Sequence, residues 1–342
     1  MIELEMKRIR PKQIALGLLF LLCLAISGWQ LLVRQYLPVA PGDTSLVEVR
    51  LPENSSARQV AELLKENGLI RNETIFLGYL HQKGMEKQLK AGLYAFSKSQ
   101  SLPELAGQIA QGQVMTSAFT VPEGFTVHQI GELLINKQIC TQPQWEEALQ
   151  GNYNYDFLPV EGPADEKRLE GFLFPDTYTI DDQTGAEDII NMMLQRFASV
   201  WNSEYASMAD SQQLKVRDVI IIASLVEREA RVAGERQRIA GVIYNRLRQD
   251  MPLQIDATIL YSLGQHQDTV TYQDLEINSP YNTYKYYGLP PGPIASPGRA
   301  AIEAALNPEA NNYYYYVATG DGSHYFSATY AEHLAARQKY GI

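Results

Sequence analysis

Residues 14–33 run for twenty positions without a charged side chain, beginning Ile-Ala-Leu-Gly-Leu-Leu-Phe, and no other feature restricts this chain so tightly. At about 1.5 Å per residue the run makes roughly 30 Å of helix, the thickness of a bilayer's hydrocarbon core. Two readings compete. A cleavable secretory signal would carry an apolar stretch of about 7 to 15 residues, and Ala25 and Ser27 offer a passable small-residue cleavage pattern. Here the apolar run continues through Trp29, Leu31, Leu32 and Val33, which favours an uncleaved transmembrane anchor. Cys23 follows Leu22, where a lipoprotein cleavage site would want a small residue, so it reads as an ordinary membrane-helix cysteine.

Lys7, Arg8, Arg10 and Lys12 precede the run and only Arg34 closely follows it. The positive flank stays in the cytoplasm, so the expectation is a single-pass protein of the cytoplasmic (inner) membrane: a cytoplasmic stub over 1–13, the anchor over 14–33, a linker over 34–45 and an exported body beyond. The whole chain has a net charge of −10, and residues 34–342 carry −12, from 25 basic and 37 acidic side chains. Nucleic acid is therefore excluded as the main partner, because phosphate binding depends on concentrated Lys and Arg. An apolar share of 45% with 21 tyrosines supplies ample core material, which excludes disorder. Cys140 is the one exported cysteine, so it reads as a buried free thiol and stability has to come from packing.

A repeat opens the exported body. Val49-Arg50-Leu51-Pro52-Glu53-Asn54-Ser55-Ser56-Ala57-Arg58-Gln59-Val60-Ala61-Glu62-Leu63-Leu64 returns seventy residues later as Phe119-Thr120-Val121-Pro122-Glu123-Gly124-Phe125-Thr126-Val127-His128-Gln129-Ile130-Gly131-Glu132-Leu133-Leu134, with Pro, Glu, Gln, Glu, Leu and Leu in register. Each copy predicts a strand end, a Pro-led turn with Asn or Gly where left-handed backbone is tolerated, and a helix. Ser56 with Gln59, and Thr126 with Gln129, fit a capping box at the helix start. A degenerate third copy is expected at Gly92–Phe96 with Ser101–Leu105. These units resemble a LysM-like module over residues 46–117, of the sort associated with N-acetylated wall glycans. A structural spacer that binds nothing is the alternative.

Val216–Arg231 is rich in aliphatic residues and free of Gly and Pro, and predicts a largely buried helix. Glu227 stands at i+3 from Ser224, i+4 from Ala223 and i+7 from Ile220, on a small apolar stripe. A carboxyl held there loses hydration, so its charged form is disfavoured and it suits a general acid. The competing reading is an i,i+4 ion pair with Arg231. Glu229, about 200° further round, is expected in solvent.

Further motifs follow in order: Glu170-Gly171-Phe172, Tyr244-Asn245-Arg246, Gln254-Ile255-Asp256, Tyr281-Asn282-Thr283-Tyr284, Gly288-Leu289-Pro290-Pro291-Gly292-Pro293-Ile294, Ser296-Pro297-Gly298 and Gly322-Ser323-His324. With the Glu227 helix this set resembles the YceG-like family of endolytic murein transglycosylases, over the anchor and essentially the whole exported body. The resemblance implies an α+β fold, with a catalytic domain over 118–342. It also implies cleavage of the MurNAc-GlcNAc β-1,4 bond within nascent peptidoglycan strands, leaving 1,6-anhydro-MurNAc ends, with Glu227 as the catalytic acid. Implied partners are peptidoglycan glycan strands and peptidoglycan synthases; none of the five histidines belongs to an H-E-x-x-H pattern and no Cys/His cluster or phosphate-binding Gly-Lys motif appears, so no metal or cofactor is expected.

Asn245, Asp256 and His324 are candidates to orient substrate or Glu227, and Glu170 belongs to the same substrate-binding set. Tyr281, Asn282, Thr283 and Tyr284 offer hydroxyl, amide and ring-face groups suited to N-acetyl sugars. The prolines and glycines of 289–293 suit a stiff groove wall, while Pro297 and Gly298 read as loop architecture. Departures from the family are Ala230, where Thr is usual, and Ile255 and Ala257 flanking Asp256, where a hydroxyl residue and Pro are common. A glycan hydrolase with Asp256 as base and a non-catalytic wall-binding scaffold are the rival functions.

Overall fold

The computed structural model describes residues 11–159, 166–264, 267 and 269–341. Lys7, Arg8 and Arg10 lie outside them. Helix α1 (Pro11–Tyr36) contains the uncharged run, and its Leu18–Tyr36 part is long and apolar enough to cross a membrane. Leu18, Phe20, Leu21 and Trp29 are all exposed, which suits a helix whose solvent is lipid. The chain divides into two compact units, one ending at Ser117 and including Thr179–Gln183, the other made of Ala118–Tyr178 and the residues from Thr184 on.

The first unit is a strand–helix–helix–strand arrangement closed by a further helix: β1 (Leu46–Leu51), α2 (Ala57–Glu66), α3 (Glu73–Lys83), β2 (Gly92–Ser97) and α4 (Leu102–Gln111). β1 and β2 are antiparallel, with Leu46 opposite Ser97 and Leu51 opposite Gly92. Alternation turns Val49 and Leu51 inward and Glu48 and Arg50 outward. Both helices that follow a strand begin with capping boxes, Ser56 with Gln59 and Ser101 with Glu104. Their apolar faces meet the sheet in a core of Val60, Leu64, Phe76, Leu80, Tyr94, Phe96, Leu105 and Ile109, and each such side chain contributes about 1.5–3 kcal/mol by leaving water.

Arg71 fastens α1 to this unit. Its guanidinium donates to the carbonyls of Arg34 (3.1 Å), Leu37 (2.6 Å), Pro38 (2.6 Å) and Val39 (3.1 Å). Carbonyls left unpaired where a helix ends are favourable partners for a cation.

The second unit is mostly helical, giving the chain its mixed α+β character. From β3 (Ser117–Thr120) on, the elements are α5 (Val127–Asn136), α6 (Gln142–Leu149), α7 (Glu166–Leu169), β4 (Thr177–Ile180, whose last two residues are counted with the first unit), α8 (Ala186–Val200), α9 (Ser203–Ser211), α10 (Val216–Glu229), α11 (Arg236–Arg248), α12 (Asp256–Leu263), α13 (Arg299–Leu306), β5 (Tyr315–Ala318), β6 (His324–Ser327) and α14 (Tyr330–Tyr340). β5 and β6 form an antiparallel hairpin, Ala318 opposite His324. α10 is the centre of the unit, packed against α9, α11, α12 and α13. Every residue from Val219 to Val226 is buried, so this helix has no solvent face to spare.

Candidate active site

The site forms where the motifs converge on the C-terminal half of α10. Ser224, fully buried, donates to the Ile221 carbonyl (2.7 Å) and accepts the Ile294 N–H (3.1 Å), which pins the proline-rich loop to the helix. Arg217 ties the same loop further back through the Pro291 carbonyl (2.8 Å). Gly171, at φ +84°, lies so close to Pro293 and Ile220 that a Cβ there would overlap both, which explains the glycine of the Glu170-Gly171-Phe172 motif. The second strand–turn–helix copy then locks on: Gly124 N–H donates to the Ser296 carbonyl and Ser296 N–H to the Phe125 carbonyl, each at 2.8 Å.

Glu227 sits inside this junction with its side chain 8% exposed. Its Oε2 accepts the Gly298 N–H at 3.0 Å, and its Oε1 lies 3.8 Å from Nη2 of Arg236, at the start of α11. Burial, the largest cause, and the neighbouring charge of Glu123 push its carboxyl above the ordinary glutamate range. The Gly298 amide, Arg236 and Arg228 act in the opposite direction. A carboxyl that is protonated more readily than usual, with one oxygen fixed by an amide, is equipped to donate a proton.

Three expectations change here. α10 ends at Glu229, and Ala230 is extended, so Arg231 lies past the helix and the cation near Glu227 is Arg236. Glu229 turns inward instead of reaching solvent; its Oε2 accepts the Tyr316 hydroxyl at 3.0 Å, and burial raises its pKa as well. Gly298 is more than loop architecture, because its amide holds the acid and it is the N-cap of α13.

The expected substrate residues divide into two groups. Asn282 is fully buried, donates to the Leu275 and Ile277 carbonyls and accepts the Tyr284 N–H. Thr283 accepts the Ile255 N–H and lies 3.0 Å from the Thr258 hydroxyl. Asn245 donates to the Asn311 and Tyr313 carbonyls and accepts from Arg248. Glu170, 2% exposed, accepts the Val127 N–H at the start of α5 and the Tyr261 hydroxyl. These four spend polar groups on partners inside the fold. Tyr281 is 8% exposed, its hydroxyl tight against Gly292.

The second group is better placed. Asp256 is exposed at the start of α12 and accepts the Tyr284 hydroxyl at 2.5 Å. His324 is braced by Glu235, whose Oε1 accepts its backbone N–H (2.9 Å) and whose Oε2 lies 2.8 Å from its Nδ1. Glu235 directly precedes Arg236, so this brace holds the segment from which Arg236 reaches toward Glu227.

Two groups at the site escaped sequence reasoning: Arg236, from an unremarked polar stretch, and Glu123, visible only as a member of the repeat.

Comparison with known proteins agrees with the geometry. The YceG-like family matches residues 49–339. An endolytic murein transglycosylase of Bacillus subtilis (strain 168) is 36% identical over 315 residues, covering 89% of this chain and 87% of the relative. One from Streptococcus pneumoniae serotype 2 is 34% identical over 334 residues, covering 90% of this chain but 60% of that longer protein. The crystal structure of a putative YceG-like protein from Listeria monocytogenes superposes with a TM-score of 0.58 at 32% identity, covering 85% of this chain and 98% of its own. With the match running from β1 into α14 and taking in the buried glutamate and the loops that hold it, this chain belongs to the YceG-like family.

Proposed function

We propose that this protein is a membrane-anchored endolytic murein transglycosylase. It cleaves the β-1,4 bond between N-acetylmuramic acid and N-acetylglucosamine inside nascent peptidoglycan strands. The observation that carries the reading is Glu227, a buried carboxyl with raised proton affinity held by the Gly298 amide at the meeting point of the family motifs. Protonated Glu227 gives its proton to the glycosidic oxygen as the C1–O bond breaks and the sugar becomes oxocarbenium-like. The resulting carboxylate then takes the proton of the muramic acid C6 hydroxyl, whose oxygen bonds to C1 and closes the 1,6-anhydro ring.

α1 holds the protein in the cytoplasmic membrane with its N-terminus inside, so that the rest works on the exported side, where peptidoglycan synthases supply the substrate. The first unit serves as a LysM-like glycan-binding module; its strand–helix–helix–strand order supports that reading. End-group analysis tests the activity. Incubation with nascent strands is expected to yield 1,6-anhydro-muramic acid termini, and reducing muramic acid termini in their place would establish a hydrolase and refute the lyase reading.

A further inference from the structure

Glu123 stands in the turn that precedes α5, exposed, with no hydrogen bond or ion pair among the described residues. A free carboxylate on a surface turn is ordinary; the position of this one is not. Its carboxyl rests against Cα of Gly298, in the space that a side chain at 298 would take. The amide of that same glycine holds Glu227 Oε2 at 3.0 Å, so the two carboxyl groups flank one residue and lie within about 8 Å of each other. Gly298 has φ −75° and ψ 170°, which any residue adopts, so a side chain there would meet the Glu123 carboxyl and displace it from this position without straining the backbone. The turn itself is held from three sides: Gly124 N–H to the Ser296 carbonyl, Ser296 N–H to the Phe125 carbonyl, and Arg228 Nη1 to the Gly124 carbonyl at 3.2 Å. The backbone that carries Glu123 is therefore fixed, and its unpaired carboxylate stands beside the acid.

We propose that Glu123 is a second catalytic carboxylate, facing the reacting sugar across Gly298 and stabilising the positive charge that forms there as the glycosidic bond breaks. The inference rests on the transglycosylase reading. When Glu227 gives its proton to the leaving oxygen, the bonding electrons depart with that oxygen and positive charge spreads over C1 and the ring oxygen. That charge persists until the C6 hydroxyl oxygen bonds to C1 and its proton passes to Glu227. An anion already standing there before the charge develops stabilises it with little reorganisation, and electrostatic stabilisation of this kind is usually the largest single term in catalysis. Glu123 also acts on the acid. The charged groups facing Glu227 are Glu123 from its turn, Arg236 from α11 and Arg228 from its own helix; of these, only Glu123 favours the protonated form.

The full-length protein in detergent, given nascent uncrosslinked strands and assayed for 1,6-anhydro ends across pH, tests the assignment. Glu123→Gln keeps the shape and removes the charge. It is expected to lower kcat about 10²- to 10³-fold with little change in KM and an unchanged unfolding temperature, and to move the basic limb of the rate profile to lower pH. Glu123→Asp, with the charge on a shorter arm, is expected to recover part of the rate and of the limb position. A Glu123→Gln protein within about threefold of the wild-type kcat, or one whose limb stays in place while its unfolding temperature falls, overturns the proposal. Wild-type protein that makes no anhydro ends refutes the transglycosylase reading itself, whereas wild-type anhydro ends with an unaffected Glu123→Gln refute only the role of Glu123.

Discussion

The two main strand–turn–helix copies begin from nearly the same sequence and the same local geometry. Both turns pass through left-handed backbone, Asn54 at φ 57° and Gly124 at φ 79°, and both helices open with a capping box. Their surroundings differ. Around the first, Pro52, Glu53, Asn54, Ser55, Gln59, Glu62, Leu63 and Glu66 line an open dent of about 290 Å³. The equivalent face of the second is covered by Ser296–Gly298, stitched to it through the backbone, and Glu123 finds itself next to Glu227. Local sequence makes the unit in both cases; what a distant loop lays over it decides whether its glutamate meets chemistry.

The largest expected effect separates the two glutamate environments. Glu227→Gln is expected to reduce the appearance of 1,6-anhydro ends by at least about 10³-fold, because it removes the proton donor, while Glu53→Gln leaves the rate unchanged. Stability should move the other way. The folded carboxyl of Glu227 has its pKa raised, chiefly by burial, so its contribution is fully present below the unfolded value of about 4.3 and is lost as pH rises through the folded value. Glutamine has no charge to bury, so Glu227→Gln is expected to unfold at a higher temperature than wild type at neutral pH, with the gap closing on acidification. Thermal unfolding at several pH values measures this, and a gap that widens in acid contradicts the burial account.

A smaller effect lies in the helices of the two copies, where Ala61 corresponds to Gly131. Ala61 is fully buried in the first unit, whereas a Cβ at Gly131 would overlap the indole of Trp145. Gly131→Ala is therefore expected to destabilise the second unit by about 1–3 kcal/mol through overpacking, although alanine is the better helix former by about 1 kcal/mol. Ala61→Gly, which loses helix propensity and leaves a small void, is expected to cost the first unit about 1 kcal/mol or slightly more. Denaturant unfolding of each variant gives the comparison, and a stabilised Gly131→Ala protein would mean that Trp145 has room to move.

How much of this was legible in the sequence depended on the distance over which each feature is decided. Capping boxes, the left-handed turn positions and the buried run of α10 are set within a few residues, and the sequence pattern sufficed for them. The 200° offset of Glu229 from Glu227 points to solvent; yet Val219–Val226 are buried all round, and the partner that receives Glu229 is Tyr316, 87 residues away. Asn245, Asn282 and Thr283 carry the same polar groups whether they bind sugar or brace a loop, and their partners inside the fold, such as Asn311, Leu275 and Ile255, are not written in their own residue types. The importance of Gly298 was hidden for a different reason: its contact with Glu227 is made by a backbone amide, which every residue but proline carries.

The capping boxes provide the smallest test and the most direct comparison of the two copies. Ser56→Ala removes the acceptor of the Gln59 N–H (3.3 Å) and Thr126→Ala that of the Gln129 N–H (3.2 Å), so each is expected to cost about 1 kcal/mol of stability in its own unit. Their functional consequences should differ. Thr126 adjoins Phe125, whose carbonyl receives the Ser296 amide, so a frayed start to α5 loosens the turn that mounts Glu123 and the loop that carries Gly298. A displacement of even a fraction of an ångström between an acid and its substrate slows a reaction that depends on alignment, so Thr126→Ala is expected to lower kcat severalfold. Ser56→Ala has no such connection to Glu227 through its own turn and is expected to leave kcat unchanged. A Thr126→Ala protein that keeps the wild-type kcat, as Ser56→Ala is expected to, would show that the turn is rigid without its cap and that the loop at 296–298 alone positions the acid.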